Sequence, residues 1–410
     1  MNRFQQCVID GLRGCKEFVA AAEGILANNN ISVHRLPGSA FSLFVTALAS
    51  SLSRSFCVIT SREERAEQIF EDLEFFGVGD VCHFAGDETL PYEFEEPGVE
   101  ILGKQIETYA RLAQCSEGCG KGETAVIVAS LESALKKTFP VESFIEHSVY
   151  IQHNDIMEQP DLAKKLHYSG YIRVPIVEAR GEFAVRGGIV DVFPLDSDLP
   201  IRLDFFGSEV ESIRYFDPSS QRSLKRGPGE QVALPPAKKN MLLLRALERG
   251  EPLVSLLSLL PAETVFVLDE PERFAARARE FWDLIARQHA HRVKSGEPTP
   301  PPEALYEPLD QLERRLDARS PLIEHHLIDT EQKPRPGWSR IAFSTSVFDG
   351  LKPHFETFLG IIRERLDKDD LVAIACDNDG QVQRLEELLG ERHLDCVAIA
   401  SSDRQARAFR

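Results

Sequence analysis

The chain has 410 residues, more than one hydrophobic core usually supports, so we expect two to four domains. Hydrophobic residues make up 43% and charged residues 27% of it, which argues against disorder. The formal net charge is −18. This charge excludes the chain as a whole as a strong nonspecific DNA binder, because binding to phosphates needs an excess of Lys and Arg. DNA binding through a local basic patch is still compatible with this charge.

Location and metal content are constrained by what the sequence lacks. It begins with a polar, helix-like segment instead of a signal peptide, and its apolar runs are too short to span a membrane. Several cysteines lie in apolar, strand-like runs, as Cys57 does, which favours free thiols in a reducing compartment. Cys115 and Cys119 have no second ligand pair at zinc spacing. We therefore expect a cytoplasmic protein without membrane contact or a metal site.

Short apolar strands alternate with amphipathic helices over residues 1–134. This alternation predicts a parallel, doubly wound sheet. Predicted strands lie at 31–35, 55–60, 80–85 and 124–129, and predicted helices at 61–76 and 99–112.

The pattern changes three times further along the chain. Residues 135–235 consist of short, alternating, glycine-punctuated segments, which predict a small antiparallel β-rich domain. Residues 236–335 return to helix, strand and helix, with a proline-rich loop at 296–302, and we expect them to complete the first domain around an insertion. Residues 336–410 predict a further small α/β domain, with strands at 371–376 and 395–399, that the chain does not complete.

The loop after the first strand lies where a phosphate-binding loop would be found. It contains Gly38, Ser39 and Ser42 but lacks the lysine that a working loop needs for the phosphates. This predicts a degenerate loop that binds no nucleotide. The later run Val265–Glu270 is an apolar strand that ends in two acids, as a magnesium-binding strand of an ATPase does. Without a phosphate-binding partner, we interpret it as a relic or as chance.

The strand predicted at residues 201–206 has two chemically different faces. Its odd-numbered residues are all apolar and should face the core, which leaves Arg202, Asp204 and Phe206 on the other face. Arg186 lies on the face of its own predicted strand opposite Phe183 and Val185. An exposed aromatic residue framed by arginines is typical of a protein-binding surface. Alternatively, Phe206 packs under a helix and the arginines are merely solvated, and the pattern alone does not decide between the two.

Four motifs in this region carry a family resemblance. They are Gly181–Pro194, Ile201–Gly207, Ser212–Asp217 and, earlier in the chain, Asp87–Tyr92. Together they resemble the bacterial transcription-repair coupling factors and, more loosely, UvrB. The resemblance covers about residues 30 to 240, whereas the rest of the chain matches only in length and α/β pattern.

The resemblance implies a fold and a partner. The fold is a degenerate RecA-like, P-loop-type α/β domain with an inserted antiparallel β-rich domain that docks on UvrA, followed by a second small α/β domain. Arg186, Arg202 and Phe206 match the family's UvrA contacts, and Arg173 and Asp204 match positions that UvrB uses. UvrB's second arginine is Ala184 here, and its DNA-clamping hairpin is missing, so damage binding is not expected.

The resemblance also implies what other parts of such a protein do. By this resemblance, full-length members of the family are ATP-dependent DNA translocases of helicase superfamily 2. Their motor uses ATP and magnesium, and their other domains bind RNA polymerase and DNA. We expect none of those domains in this chain, and therefore neither catalysis nor a bound cofactor. Two alternatives are an ATP-using helicase or nuclease-associated enzyme and a metabolic α/β enzyme. A lysine in the first loop would favour the former, and convergent titratable residues at strand ends the latter.

Overall fold

The computed structural model of this chain describes residues 3–52, 54–116, 125–328, 335–345, 355–368 and 378–394, and the single residues 372, 374 and 396. In chain order the strands are β1 Asn30–His34, β2 Phe56–Thr60, β3 Val81–Phe84, β4 Val126–Ser130, β5 Val149–Gln152, β6 Ile172–Arg173, β7 Glu182–Arg186, β8 Ile189–Val192, β9 Ile201–Phe206, β10 Glu209–Tyr215, β11 Gln231–Leu234, β12 Val265–Asp269, β13 Leu322–His326 and β14 Trp338–Ala342.

Between many of these strands lie single helices or runs of two or three helices. They are α1 Arg3–Arg13, α2 Lys16–Leu26, α3 Ser39–Ser51, α4 Glu63–Phe75, α5 Val99–Ser116, α6 Leu131–Leu135, α7 Val141–His147, α8 Gln159–Tyr168, α9 Lys239–Arg249, α10 Leu256–Leu259, α11 Phe274–Lys294, α12 Pro302–Leu305, α13 Leu309–Asp317, α14 Phe355–Leu366 and α15 Asp379–Gly390, with a 3-10 turn at Pro271–Arg273.

The larger sheet is parallel throughout, in the order β14-β1-β13-β12-β2-β4-β3 within the described residues. Its strands are continuous apolar runs because helices cover both faces. In β2, Cys57 and Ile59 face one hydrophobic core, whereas Phe56 and Val58 face the other. The predicted parallel α/β fold is confirmed.

The chain completes this sheet after the β-rich segment. β12 and β13 lie between β1 and β2, so segments on both sides of the insertion share one sheet. β14 pairs with β1 through Asn30 opposite Trp338, and the sheet therefore continues past the expected domain boundary at residue 336. Beyond it, α14 and α15 share a small core that contains Leu359, Ile362 and Leu389. The strands expected at 371–376 and 395–399 fall almost entirely outside the described residues.

The inserted β-rich segment forms a second sheet in the order β10-β9-β8-β7-β6. It is antiparallel except for the parallel pair β6 and β7, and β5 pairs with β11 in a separate antiparallel ribbon. The inner face of the sheet carries Phe183, Val190 and Leu203, which join the same hydrophobic core as α5 and α11. The inserted sheet is thus fixed to the first domain by its apolar face, and its other face points away.

Within the described residues, no helix is long and apolar enough to cross a membrane. No group of three or more His, Cys, Asp or Glu side chains in that part of the chain is arranged to hold a metal ion.

Candidate functional site

The loop before α3 has a glycine directly before the helix, and its hydroxyl groups contact protein. Gly38 adopts a φ of 56°, which favours glycine, and α3 begins directly after it. The hydroxyl of Ser39 donates to Oδ1 of Asp72 at 3.0 Å, and the hydroxyl of Ser42 donates to Oδ2 at 2.8 Å. A carboxylate thus takes the hydroxyls that a magnesium-nucleotide site would need.

The acidic end of β12 is closed in a similar way. Oδ1 of Asp269 lies 2.6 Å from Nδ1 of His325, and its Oδ2 accepts from Nε of Arg65 at 3.0 Å. Phe41 is fully buried and stacks on the His325 ring with centroids 4.3 Å apart. Burial alone would raise the pKa of Asp269, but the contacts with His325 and Arg65 lower it. The carboxylate is therefore charged and already paired inside the protein.

The outer face of the inserted sheet is organised by Asp191, which is fully buried on β8. Nε of Arg202 donates to Oδ1 of Asp191 at 2.7 Å, and its Nη2 donates to Oδ2 at 3.0 Å. Nη2 of Arg186 donates to the same Oδ2 at 2.5 Å. One carboxylate thus holds two guanidinium groups from the flanking strands β7 and β9.

The predicted exposure of Arg202 is wrong. Its residue exposure is only 8%, and its guanidinium lies 4.5 Å from the ring centroid of Phe216. Its Nη1 donates to the backbone carbonyl of Gln221 at 3.1 Å and to the hydroxyl of Ser223 at 3.2 Å. The hydrogen bonds that Arg202 donates to Asp191 raise the pKa of Arg202, so it stays charged.

A second, small core explains why Arg202 is buried. Part of the outer face is covered by segments that follow β6 and β10. The buried members of this core are Val177, Ala184, Phe193 and Phe216. Strand alternation assigned Arg202 to the correct face, but that face is covered there and does not meet solvent.

Arg186 and Phe206 remain at the surface. The Arg186 side chain is 40% exposed, and its Nη2 also donates to Oε1 of Gln221 at 3.2 Å. Phe206 is 77% exposed at the end of β9, beside a two-residue turn that begins with Gly207 at a φ of 64°. The alternative in which Phe206 packs under a helix is therefore wrong.

Asp204 and Arg173 lie on opposite sides of the inserted sheet. Asp204 shares the outer face and accepts hydrogen bonds from Ser212 and Arg214 of β10. Arg173 pairs with Phe183 across β6 and β7, and paired residues of adjacent strands point to the same side of a sheet. Arg173 is exposed but lies on the inner side, at the sheet edge. The structure therefore brings Arg186, Arg202, Asp204 and Phe206 together and separates Arg173 from them.

Asp191 is the residue that sequence reasoning missed. It interrupts an apolar strand, Ile189–Val192, and stands directly opposite Arg202 in the register of β8 and β9. A buried carboxylate in an apolar strand costs free energy unless it is paired. The position of Asp191 in the sequence was therefore a signal that it has a basic partner. The site is a sheet face with the exposed ring of Phe206 and two exposed guanidinium groups, that of Arg186 held by Asp191 and that of Arg214 held by Asp204.

The inserted sheet corresponds to a known type of domain. Residues 149–239 match the family described as the UvrB interaction domain, and they contain β5 to β11. The chain is thus an α/β protein that carries a domain of this type.

The curated relatives of this chain include transcription-repair-coupling factors of several bacteria. The chain is 31% identical to that of Bacillus subtilis over 221 residues, 52% of this chain and 18% of the relative. It is 25% identical to that of Escherichia coli over 404 residues, 86% of this chain and 33% of the relative. It is 29% identical to that of Myxococcus xanthus over 246 residues, which is 58% of this chain and 20% of the relative. The resemblance that the motifs carry is confirmed, and the matches span a third or less of these relatives.

Proposed function

We propose that this chain recruits UvrA, and does so as the docking part of a transcription-repair coupling factor that links stalled RNA polymerase to nucleotide excision repair. RNA polymerase and DNA would bind to other regions of such a protein. One observation carries the proposal: within the matched domain, Phe206 is 77% exposed on the same sheet face as Arg186.

The geometry suits a docking surface. Aromatic and arginine side chains dominate the binding free energy of many interfaces. Arg186 is held by Asp191 and Gln221, so less side-chain entropy is lost when a partner binds its guanidinium. Arg202 would act as a positioning residue that keeps Asp191 in place. Asp204, already paired with Arg214, would lie beside Phe206 on this face, whereas Arg173 would lie outside it, on the inner side at the sheet edge.

An ATP-using function is the second candidate, and the first domain argues against it. The loop at Gly38 has no lysine, and Asp269 is paired with Arg65 and His325. We propose that this part of the protein neither hydrolyses ATP nor holds a cofactor, and that ATP and magnesium belong to the motor of the longer relatives. Phosphate release by the purified chain above a blank, with or without DNA, would favour an enzyme instead.

The direct test is gel filtration of purified UvrA mixed with this chain. We expect the two to elute together and Arg186→Glu to elute apart from UvrA, because charge reversal in an interface costs several kcal/mol, on the order of a thousandfold in affinity. Arg335→Glu is a matched control, since Arg335 is also exposed and ion-paired but lies outside residues 149–239. Separate elution of the unchanged chain and UvrA would contradict the proposal.

A further inference from the structure

A short segment beyond β5 widens the outer face of the inserted sheet. Residues 154–157 run antiparallel to the start of β10. The amide of Met157 donates to the carbonyl of Ser208 at 2.8 Å, and the amide of Val210 donates to the carbonyl of Asp155 at 2.9 Å. Ile156 lies between these bonds and forms a bridge with Glu209. It is 81% exposed, more than Phe206.

Ile156 and Phe206 share one row of the same face. Glu209 is opposite Ile156 on one side and opposite Phe206 on the other, and directly opposed residues point to the same side of a sheet. The next residue of each segment confirms this direction, because Met157 and Val210 pack toward the inner core. With strands about 4.8 Å apart, the Cα atoms of Ile156 and Phe206 are about 10 Å apart.

The charges around this row differ from those at the other end of the face. Glu209 lies between the two apolar side chains, and Glu158 is exposed two residues after Ile156. Arg186 provides positive charge at the strand that lies further across the sheet. A partner that fits this face has an apolar depression that takes both side chains and a basic group that meets Glu209.

We infer that Ile156 is a second apolar anchor for UvrA, beside Phe206, with Glu209 facing a basic residue of UvrA. The inference rests on the proposed function, and it assigns to the interface a residue that lies outside the sheet's named strands. The matched domain includes it, since that domain begins at residue 149. Continuity with Phe206 through Glu209 identifies the occupant as the same partner.

Isothermal titration of UvrA with the full chain tests the inference. Ile156→Ser should raise the dissociation constant about tenfold, because the variant lacks the apolar side chain that binding to UvrA would bury. Its melting temperature should not change, since the side chain is 81% exposed. Ile328→Ser is a matched control, an isoleucine 72% exposed and outside residues 149–239. Glu209→Gln should reduce the salt dependence of binding.

The outcomes separate this inference from the proposed function. If Ile156→Ser binds like the unchanged chain while Phe206→Ala binds more weakly, the second anchor is wrong and the docking function stands. If the unchanged chain itself does not bind UvrA, the proposed function fails. Sedimentation of the chain alone supplies one more check. Concentration-dependent dimers that Ile156→Ser abolishes would show that a second copy covers Ile156, and would overturn the inference.

Discussion

Two buried aspartates, Asp269 at the end of β12 and Asp191 in β8, each hold two basic side chains, with opposite results. The partners of Asp269, Arg65 and His325, have side chains 22% and 2% exposed, and they close the site. Of the partners of Asp191, Arg202 has a side chain that is 10% exposed, whereas the side chain of Arg186 is 40% exposed.

The difference shows how similar pairings serve different ends. When both partners are buried, as at Asp269, the carboxylate completes an internal network. When one cation reaches the surface, the buried carboxylate holds it in a defined orientation for a partner. The comparison therefore predicts that variants of buried partners change stability, whereas variants of exposed ones change binding.

The largest expected effect is that of Arg202→Glu on folding. The change removes a buried partner of Asp191 and places a second carboxylate beside it, so the free energy of unfolding should fall by about 3–5 kcal/mol. Denaturant unfolding measures this loss. Arg186→Glu, which contacts the same carboxylate from an exposed position, should cost about 1 kcal/mol or less. Equal losses for the two variants would remove the distinction between buried and exposed partners.

A smaller effect is expected for Asp269→Asn, with a defined pH dependence. Loss of charge-assisted hydrogen bonds to Arg65 and His325 should lower stability by about 2 kcal/mol at neutral pH. The pKa of Asp269 is lower in the folded chain than in the unfolded one. The stabilisation is therefore present above the unfolded pKa of about 4 and is lost as the pH falls through the folded pKa.

The pH dependence is tested by unfolding curves of the unchanged chain and of Asp269→Asn, recorded from neutral to acidic pH. The two should converge as the pH falls below about 4. Glu272→Gln is the matched control, because Glu272 meets His326 at 3.0 Å with a side chain 49% exposed. It should change stability by less than about 1 kcal/mol. If the stability difference between the unchanged chain and Asp269→Asn grew as the pH fell, the assigned ion pair would be contradicted.

The sequence predicted the larger features because each leaves a periodic signal. Continuous apolar strands between helices indicated the parallel sheet, and β12 and β13 do lie between β1 and β2. Alternation in β9 separated Leu203 and Phe205 from Phe206, and the structure confirms both faces. That the loop at Gly38 binds no nucleotide remains a prediction, and it rests on the missing lysine.

The remaining features depend on contacts between segments far apart in sequence. Alternation assigns a side chain to a face, but it does not show whether another segment covers that face. Arg202 is buried because Gln221 and Ser223 lie over it, 19 and 21 residues away. Arg173 was placed with the other candidates by resemblance, whereas the parallel register of β6 with β7 puts it on the inner side. Ile156 lies in one isolated bridge, too short for any pattern to mark.

The most direct test of the docking face is the affinity of UvrA for this chain and for Phe206→Ala. We expect the variant to fold normally, because the ring is 77% exposed, and to bind UvrA more weakly by about 2 kcal/mol, roughly thirtyfold. Isothermal titration of both proteins under the same salt conditions gives the two dissociation constants. An unchanged dissociation constant for Phe206→Ala would contradict the claim that this face binds UvrA.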